Sequence, residues 1–349
     1  AIADGSVTLT TGTITATSQS AVLTSIAKFA ANEVTAITFN DEAAVQAAAT
    51  AVADDAIADN SITMTTDTVT ETAVATVAGS ITKFKAGEVD LSLADEDGIA
   101  LGTAQNSTFL TDDAIADGSV TLTTGTITAT SKSAVVTSIA KFAGNQVTAI
   151  SLSETEVNSI ITDDALKAGS VTVGTVTGTS QTNVLANITT FAADGVTAIT
   201  LNETELNALA GTPAADLDDA IAANSITIGN VTNADAEATV LANGDLIADD
   251  GITSITLTDA EFNTFIGANT ASPLKDASVT LGAVTGNQGT VVGNVAKIVD
   301  GGISSITVTG IQYNTLSSSV AKVQDDGLTL NVQNGETVDF SLDSGLAAK

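Results

Sequence analysis

Three residue types recur in this chain in spacings that could do chemistry. Paired carboxylates come first: Asp54–Asp55, Asp112–Asp113, Asp163–Asp164 and Asp218–Asp219. A glycoside-cleaving site needs two carboxyl groups at one fixed separation in a cleft. Near-identical pairs strung along a chain define no unique acid and base. Lysines come next: Lys28, Lys83 and Lys141 each stand directly before a phenylalanine. The chain has no His and no Cys, so an activated nucleophile would have to be a Ser–Lys or carboxylate arrangement. A lysine that returns with a repeat reads instead as structure or solvated surface. There is no phosphate-cradling glycine loop and no dinucleotide fingerprint. The expectation is a protein that is not an enzyme, with no catalytic residue.

The third type is the oxygen-rich turn. "NDE" at Asn40, "ADEDG" at Ala94, "ADDG" at Ala248 and "DGG" at Asp300 carry the ligand chemistry of a hard cation. Calcium is the candidate ion, and Asp95, Asp97, Asp249, Asp250 and Asp300 are its candidate ligands. Neither the EF-hand spacing nor the glycine-rich calcium nonapeptide is present, and no cofactor is required by any motif. A row of amides also recurs: Asn158, Asn207, Asn263 and Asn314, with Gln46 in the same register. It reads either as a ligand-lining polar row or as a structural ladder bonding from one repeat to the next. Half-buried amides need partners wherever they lie, which favours the ladder.

What positions these residues is a repeat. "AIADGSVTLTTGTITATS" opens the chain at Ala1 and returns letter for letter at Ala114, with a blurred copy at Ala56. Further copies start at Ala165 and Ala220, and a shorter-headed one starts near Ala277. The repeats are assigned to 1–55, 56–113, 114–164, 165–219, 220–276 and 277–323. The strand-like segment 324–349 is read as a cap or assembly segment. Phe29, Phe84, Phe142 and Phe191 are second landmarks, followed in register by Ile247 and Ile298. They are expected to be structural. The first and third repeats are far more alike than either is to the second, so a two-repeat block was copied as a piece.

Each repeat reads as strand, helix, strand, helix. "SVTLTTGTITATS" alternates β-branched and polar residues, the mark of a half-buried strand. Val22, Ile26 and Phe29 form one helical stripe, ended by Asn32 and its counterparts, which tolerate a left-handed stop. A short strand follows, as at Ala36–Phe39. A second helix then starts on capping-box spacing: Ser153 with Glu156, Asn202 with Glu205, Thr258 with Glu261. Strands alternating with helices imply parallel pairing. The expected fold is therefore an α/β repeat protein, a right-handed parallel β-solenoid with short helices in its coils. The alternatives are a mostly-β solenoid, with two strands in each Thr-rich segment, and tandem β-sandwich domains. Thr-x-Thr ranks such as Thr8–Thr10 resemble those of ice-binding β-solenoids, but Gly174, Gly229 and Gly282 break the rank in later repeats.

Composition narrows the function. The net charge is −31, from 41 acidic residues against 10 cations, all of them lysine. Such a surface repels phosphate backbones, so no nucleic-acid partner is expected. No apolar run is long enough for a transmembrane segment. The chain opens at Ala1 without a methionine or leader, which reads as a processed or excised form. "GVTAITLNETELNALAG" and "GITSITLTDAEFNTF" resemble the Ala/Thr/Asp-rich repeats of very large secreted bacterial surface proteins of the adhesin and S-layer kind. The resemblance implies an extracellular or bacterial cell-surface location, with cell envelope or polysaccharide as partners. It carries over no functional residue. The expected function is a structural repeat protein whose partners are other copies of itself, joined head to tail into a filament, matrix fibre or surface layer. The alternative is a monomeric, elongated stalk segment of a large adhesin, with the ligand-binding part elsewhere.

Overall fold

The computed structural model describes residues 1–94, 109–178, 180–209, 217, 219–268, 274–299, 302–313 and 329–337. The chain divides into two compact units, Ala1–Thr172 with Thr190–Ala192 and Val173–Thr189 with Ala193–Lys349. The division falls inside the Thr-rich segment of repeat 4.

The β-solenoid expectation is overturned. Among the described residues the strands form six separate three-stranded sheets, three in each unit, and none continues through more than two successive repeats. All their pairings are parallel, which also excludes sandwiches of antiparallel sheets. The physical reason lies in the middle of the Thr-rich segment. Gly12, Gly125, Gly174 and Gly229 all have positive φ there, a conformation that ends a strand. The segment therefore supplies two strands that belong to different sheets, as with Ile115–Leu122 and Thr126–Ile127 on either side of Gly125.

Each sheet takes two strands from one repeat and one from the next. In the first, Thr13–Ile14 and Ala36–Phe39 of repeat 1 are joined by Ile62–Met64 of repeat 2, with Ile37 opposite Ile62. In the last, Ala283–Val284 and Ser305–Val308 of repeat 6 are joined by Thr329–Val332, with Ile306 opposite Leu330. The segment beginning at 324 thus supplies the strand that a following repeat supplies elsewhere.

The helical stripe needs a second correction. The first helix of repeat 1 spans Ala16–Thr24 and gives way to a 3-10 turn, Ile26–Lys28. Phe29 beyond it is extended, φ −80° and ψ 148°, and bridges Val7. Phe84, Phe142 and Phe191 bridge Ile62, Val120 and Val171 in the same way. The landmark phenylalanines are thus bridge residues rather than the end of a helix. Phe84, Phe142 and Phe191 are buried and Phe29 is half-buried. Asn32, Asn145, Asp194 and Asp250 do adopt positive φ, in a turn after the bridge. Among the described residues no helix is long and apolar enough to cross a membrane.

Candidate functional site

The arrangement that recurs in both units is the joint between one repeat and the next. At its centre is the acid on the first turn of the second helix, which accepts from the backbone leading into the first helix of the following repeat. In unit 1 the Glu42 carboxylate accepts from Thr70 N–H at 2.5 Å and from Thr70 Oγ1 at 2.8 Å. In unit 2 Glu203 accepts from Thr232 N–H, from Thr232 Oγ1 at 2.9 Å and from Asn233 N–H at 3.0 Å. Asp259 accepts from Thr285 N–H at 2.8 Å, Thr285 Oγ1 at 3.1 Å and Gly286 N–H at 3.1 Å. Orphan N–H groups at a helix start attract an anion. Here the anion is a side chain from the neighbouring repeat. The bonds from Thr232 N–H above all, with those from its hydroxyl and Asn233 N–H, hold Glu203 below the ordinary carboxylate value. Thr285 and Gly286 do the same for Asp259.

Two further contacts are set by the repeat. Glu33, Glu88 and Gln146 accept from the N–H groups of Leu9, Met64 and Leu122 at 2.6, 3.2 and 2.8 Å. The lysines before the landmark residue pair with the acid of the opening motif: Lys28 with Asp4 at 2.5 Å, Lys83 with Asp59 at 3.1 Å, Lys141 with Asp117 at 3.1 Å. Lys297 and Asp276 do so at 3.4 Å in unit 2. Exposed pairs of this kind add little stability, and each occupies a lysine that a nucleophilic mechanism would need free.

The paired carboxylates are turn-formers. Asp54, Asp112 and Asp163 each accept the N–H two residues on, at 2.9, 3.0 and 2.9 Å, the Asx-turn geometry. The carbonyls of Asp55, Asp113 and Asp164 accept from Asn32, Gly87 and Asn145. The capping boxes form at Ser153, where Glu156 takes the Ser153 N–H at 2.6 Å, at Asn202 and at Thr258. Burial opposes ionisation of Glu156, but the Ser153 N–H and hydroxyl and Lys132 outweigh it and lower its pKa. Thr309 and Gln312 make a fourth such box, which sequence reading passed over.

The candidate calcium ligands Asp249 and Asp250 are exposed, in a tight turn with Asp250 at φ 61°. Asp95, Asp97 and Asp300 lie outside the described residues. Among the described residues no group of three or more acids, His or Cys is placed to hold a metal ion. The amide row has mixed partners. Gln46 and Asn263 accept hydroxyls of the next repeat, Thr76 at 3.2 Å and Thr290 at 3.0 Å. At the corresponding place Thr239 donates to the Asp235 carbonyl at 3.1 Å, and the buried Asn207 Oδ1 has no partner. Asn158 is engaged, and Asn314 lies outside the described residues. Repeat 1 also carries an open groove of about 920 Å³, lined largely by alanine, serine and threonine with Phe39 at its wall. No protein family and no curated protein matches the chain.

Proposed function

We propose that this chain is an extracellular structural protein that self-associates head to tail into a filament, matrix fibre or surface layer. The observation that supports the reading is the joint. The sheet of each repeat is completed by a strand of the segment that follows, and in repeats 1, 4 and 5 the acid takes the backbone leading into the next repeat's first helix. A chain built this way adds length by adding repeats, and either half of a joint is complementary to the other half. Repeat 1 shows the receiving half without a preceding repeat on it. Ile2 is 62% exposed, whereas its counterparts Ile57 and Ile115 are fully buried. Val7 and Leu9 are half-buried, whereas Ile62 and Val120 are fully buried. The short strand and acid-bearing helix of a preceding repeat fit that face, and those of another copy would make there a heterologous contact of the kind that propagates. Catalysis has no part in this reading. The extracellular setting rests on the resemblance to secreted surface repeats, and calcium is the candidate glue between two strongly acidic surfaces.

The test is electron microscopy of the purified protein, with calcium and with a chelator. Ordered fibres or sheets are expected. Their loss in chelator assigns calcium as the glue, and their persistence assigns the joint alone. Single particles at high concentration in both conditions overturn self-association. They leave the second reading, a stalk segment of a large adhesin. One observation favours that reading: Thr329–Val332 already lies on Ser305–Val308, where the strand of another copy would add.

A further inference from the structure

At one position three of the six repeats make the same bond, and repeat 5 places a buried acid there instead. Ten residues before the landmark Phe or Ile, the repeats carry Gln19, Val74, Lys132, Gln181, Glu237 and Gln288 in turn. Three of these make one bond. The Gln19 Nε2 donates to the Thr38 carbonyl at 3.2 Å, and the Nε2 groups of Gln181 and Gln288 donate to the carbonyls of Thr200 and Thr307. Each bond ties the first helix of a repeat to its own short strand. Val74 fills the place with apolar bulk and is fully buried. Lys132 reaches Glu156 at 3.2 Å instead.

Glu237 occupies this place in repeat 5, on the helix Ala234–Ala242, and is 7% exposed. Thr256 stands at the same separation as the carbonyl acceptors of the other repeats and ends the strand Ile252–Thr256. An ionised carboxylate only accepts hydrogen bonds, whereas a protonated one also donates. The surroundings favour the protonated form. The helices packed on Ala234–Ala242 are Glu203–Leu209 and Asp259–Ala268. Their charged groups are Glu203, Glu205, Asp259 and Glu261, the helix itself adds Asp235, and the strand carries no charge. Every charge offered by these elements is negative.

We propose that Glu237 is a proton-operated latch: its protonated carboxyl donates to the Thr256 carbonyl and makes in acid the tie that glutamine makes at every pH. Burial first, and then the charges of Glu261 and Glu203, raise its pKa above the ordinary carboxylate value. A raised native pKa means that the folded state binds the proton more tightly than the unfolded one. The stabilisation is therefore complete below the unfolded pKa and is lost as pH rises through the native one. Repeat 5 tightens on mild acidification, in a window above the pH at which ordinary carboxylates titrate.

The test uses the full chain, with the fluorescence of Tyr313 as reporter. This is the single tyrosine, buried in unit 2. Urea unfolding is followed from about pH 8 down to about pH 5 for the wild type, Glu237→Gln and Glu237→Val. Both substitutes stand at this place in other repeats. At the upper pH, Glu237→Gln is expected to raise the folded-to-unfolded ratio about five- to tenfold over wild type, with the gap closing in acid. Glu237→Val removes the same pH dependence but should fall about fivefold below Glu237→Gln at every pH, for want of the donor. If Val matches Gln, only the buried charge matters and the latch is refuted. If wild type and Glu237→Gln run parallel across the range, Glu237 is not the group that titrates.

Discussion

If the acid of one repeat holds the next, removing it should loosen unit 2 by an amount the contacts set. Glu203 is the sharpest case, because three donors converge on its carboxylate. A hydrogen bond to a charged group nets about 1.5–3 kcal/mol, and an acid at a helix start adds about 0.3–1 kcal/mol. These terms do not add in full. The three donors share one carboxylate, Glu203 is half-buried, and water takes over part of what the side chain gives up. Glu203→Ala should therefore cost about 2 kcal/mol at neutral pH. Glu203→Gln, which keeps one acceptor oxygen, should cost about 1 kcal/mol. Thr232→Val removes the hydroxyl but leaves the N–H bond and should also cost about 1 kcal/mol.

Two features separate this clamp from a generic surface loss. The first is coupling. The double variant should fall short of the summed single costs by about 1 kcal/mol, since each partner is worthless without the other. The second is the pH sign. Glu203 has a depressed native pKa, so its contribution is present above the unfolded carboxylate value and is lost as pH falls through the native one. The gap between wild type and Glu203→Gln should close in strong acid because the wild type loses stability there, whereas the gap at Glu237 closes because the wild type gains it. Urea titration followed by Tyr313 fluorescence measures all four proteins. Costs below about 0.3 kcal/mol for both Glu203 variants, or a gap that holds in acid, would refute the clamp as a source of stability.

Two further predictions concern the turns. Ala277 has φ 58° where the other repeats place Gly5, Asn60, Gly118, Gly169 and Asn224. An L-residue there costs about 1–2 kcal/mol and glycine gives back part of that in chain entropy, so Ala277→Gly should stabilise unit 2 by about 0.5–1 kcal/mol in urea; a neutral or negative result removes the strain argument. Gly125 has φ 76°, and a Cβ there would run into the Gln146 carbonyl and Thr148 Oγ1, whereas Gly5 at φ 67° has open space around it. Gly125→Ala should therefore lose at least about 2 kcal/mol and Gly5→Ala only about 1 kcal/mol by circular dichroism, and equal losses would show that crowding at Gly125 is relieved by movement.

What could be read in the sequence was what is decided within a few residues. The boxes at Ser153, Asn202 and Thr258 were legible because cap and acid stand three apart. The left-handed positions were legible because Asn, Asp and Gly suit them best. The Phe29 series was misread because Val22, Ile26 and Phe29 keep helical spacing, while Ser25 ends the helix and a 3-10 turn carries the chain on. The separate sheets were misread because the Thr-rich run keeps its β-branched character across Gly12 and Gly125. The clamps lie 26 to 30 residues apart in sequence, so no local pattern joins Glu42 to Thr70 or Asp259 to Thr285. A signal did exist: an acid on the first turn of one helix recurs with a Thr before the first helix of the next repeat.

A repeat protein supplies its own controls, because one backbone environment is sampled with several side chains. Where copies agree, as in the three carboxylates that take Thr70, Thr232 and Thr285, the shared contact explains the residue. Where a copy differs, the copies that share a contact state what the position can offer. Glutamine at 19, 181 and 288 shows that the place held by Glu237 wants a donor aimed at a strand carbonyl. Glycine and asparagine at 5, 60, 118, 169 and 224 show that the place held by Ala277 wants a left-handed residue. The two departures differ in kind. Alanine at 277 brings no group that could act, so it is a local cost left in place. Glutamate at 237 brings a group that regains the missing donor by binding a proton, so its cost depends on pH. Substituting the residue of the other copies should lift the first cost at every pH and the second only where Glu237 is ionised.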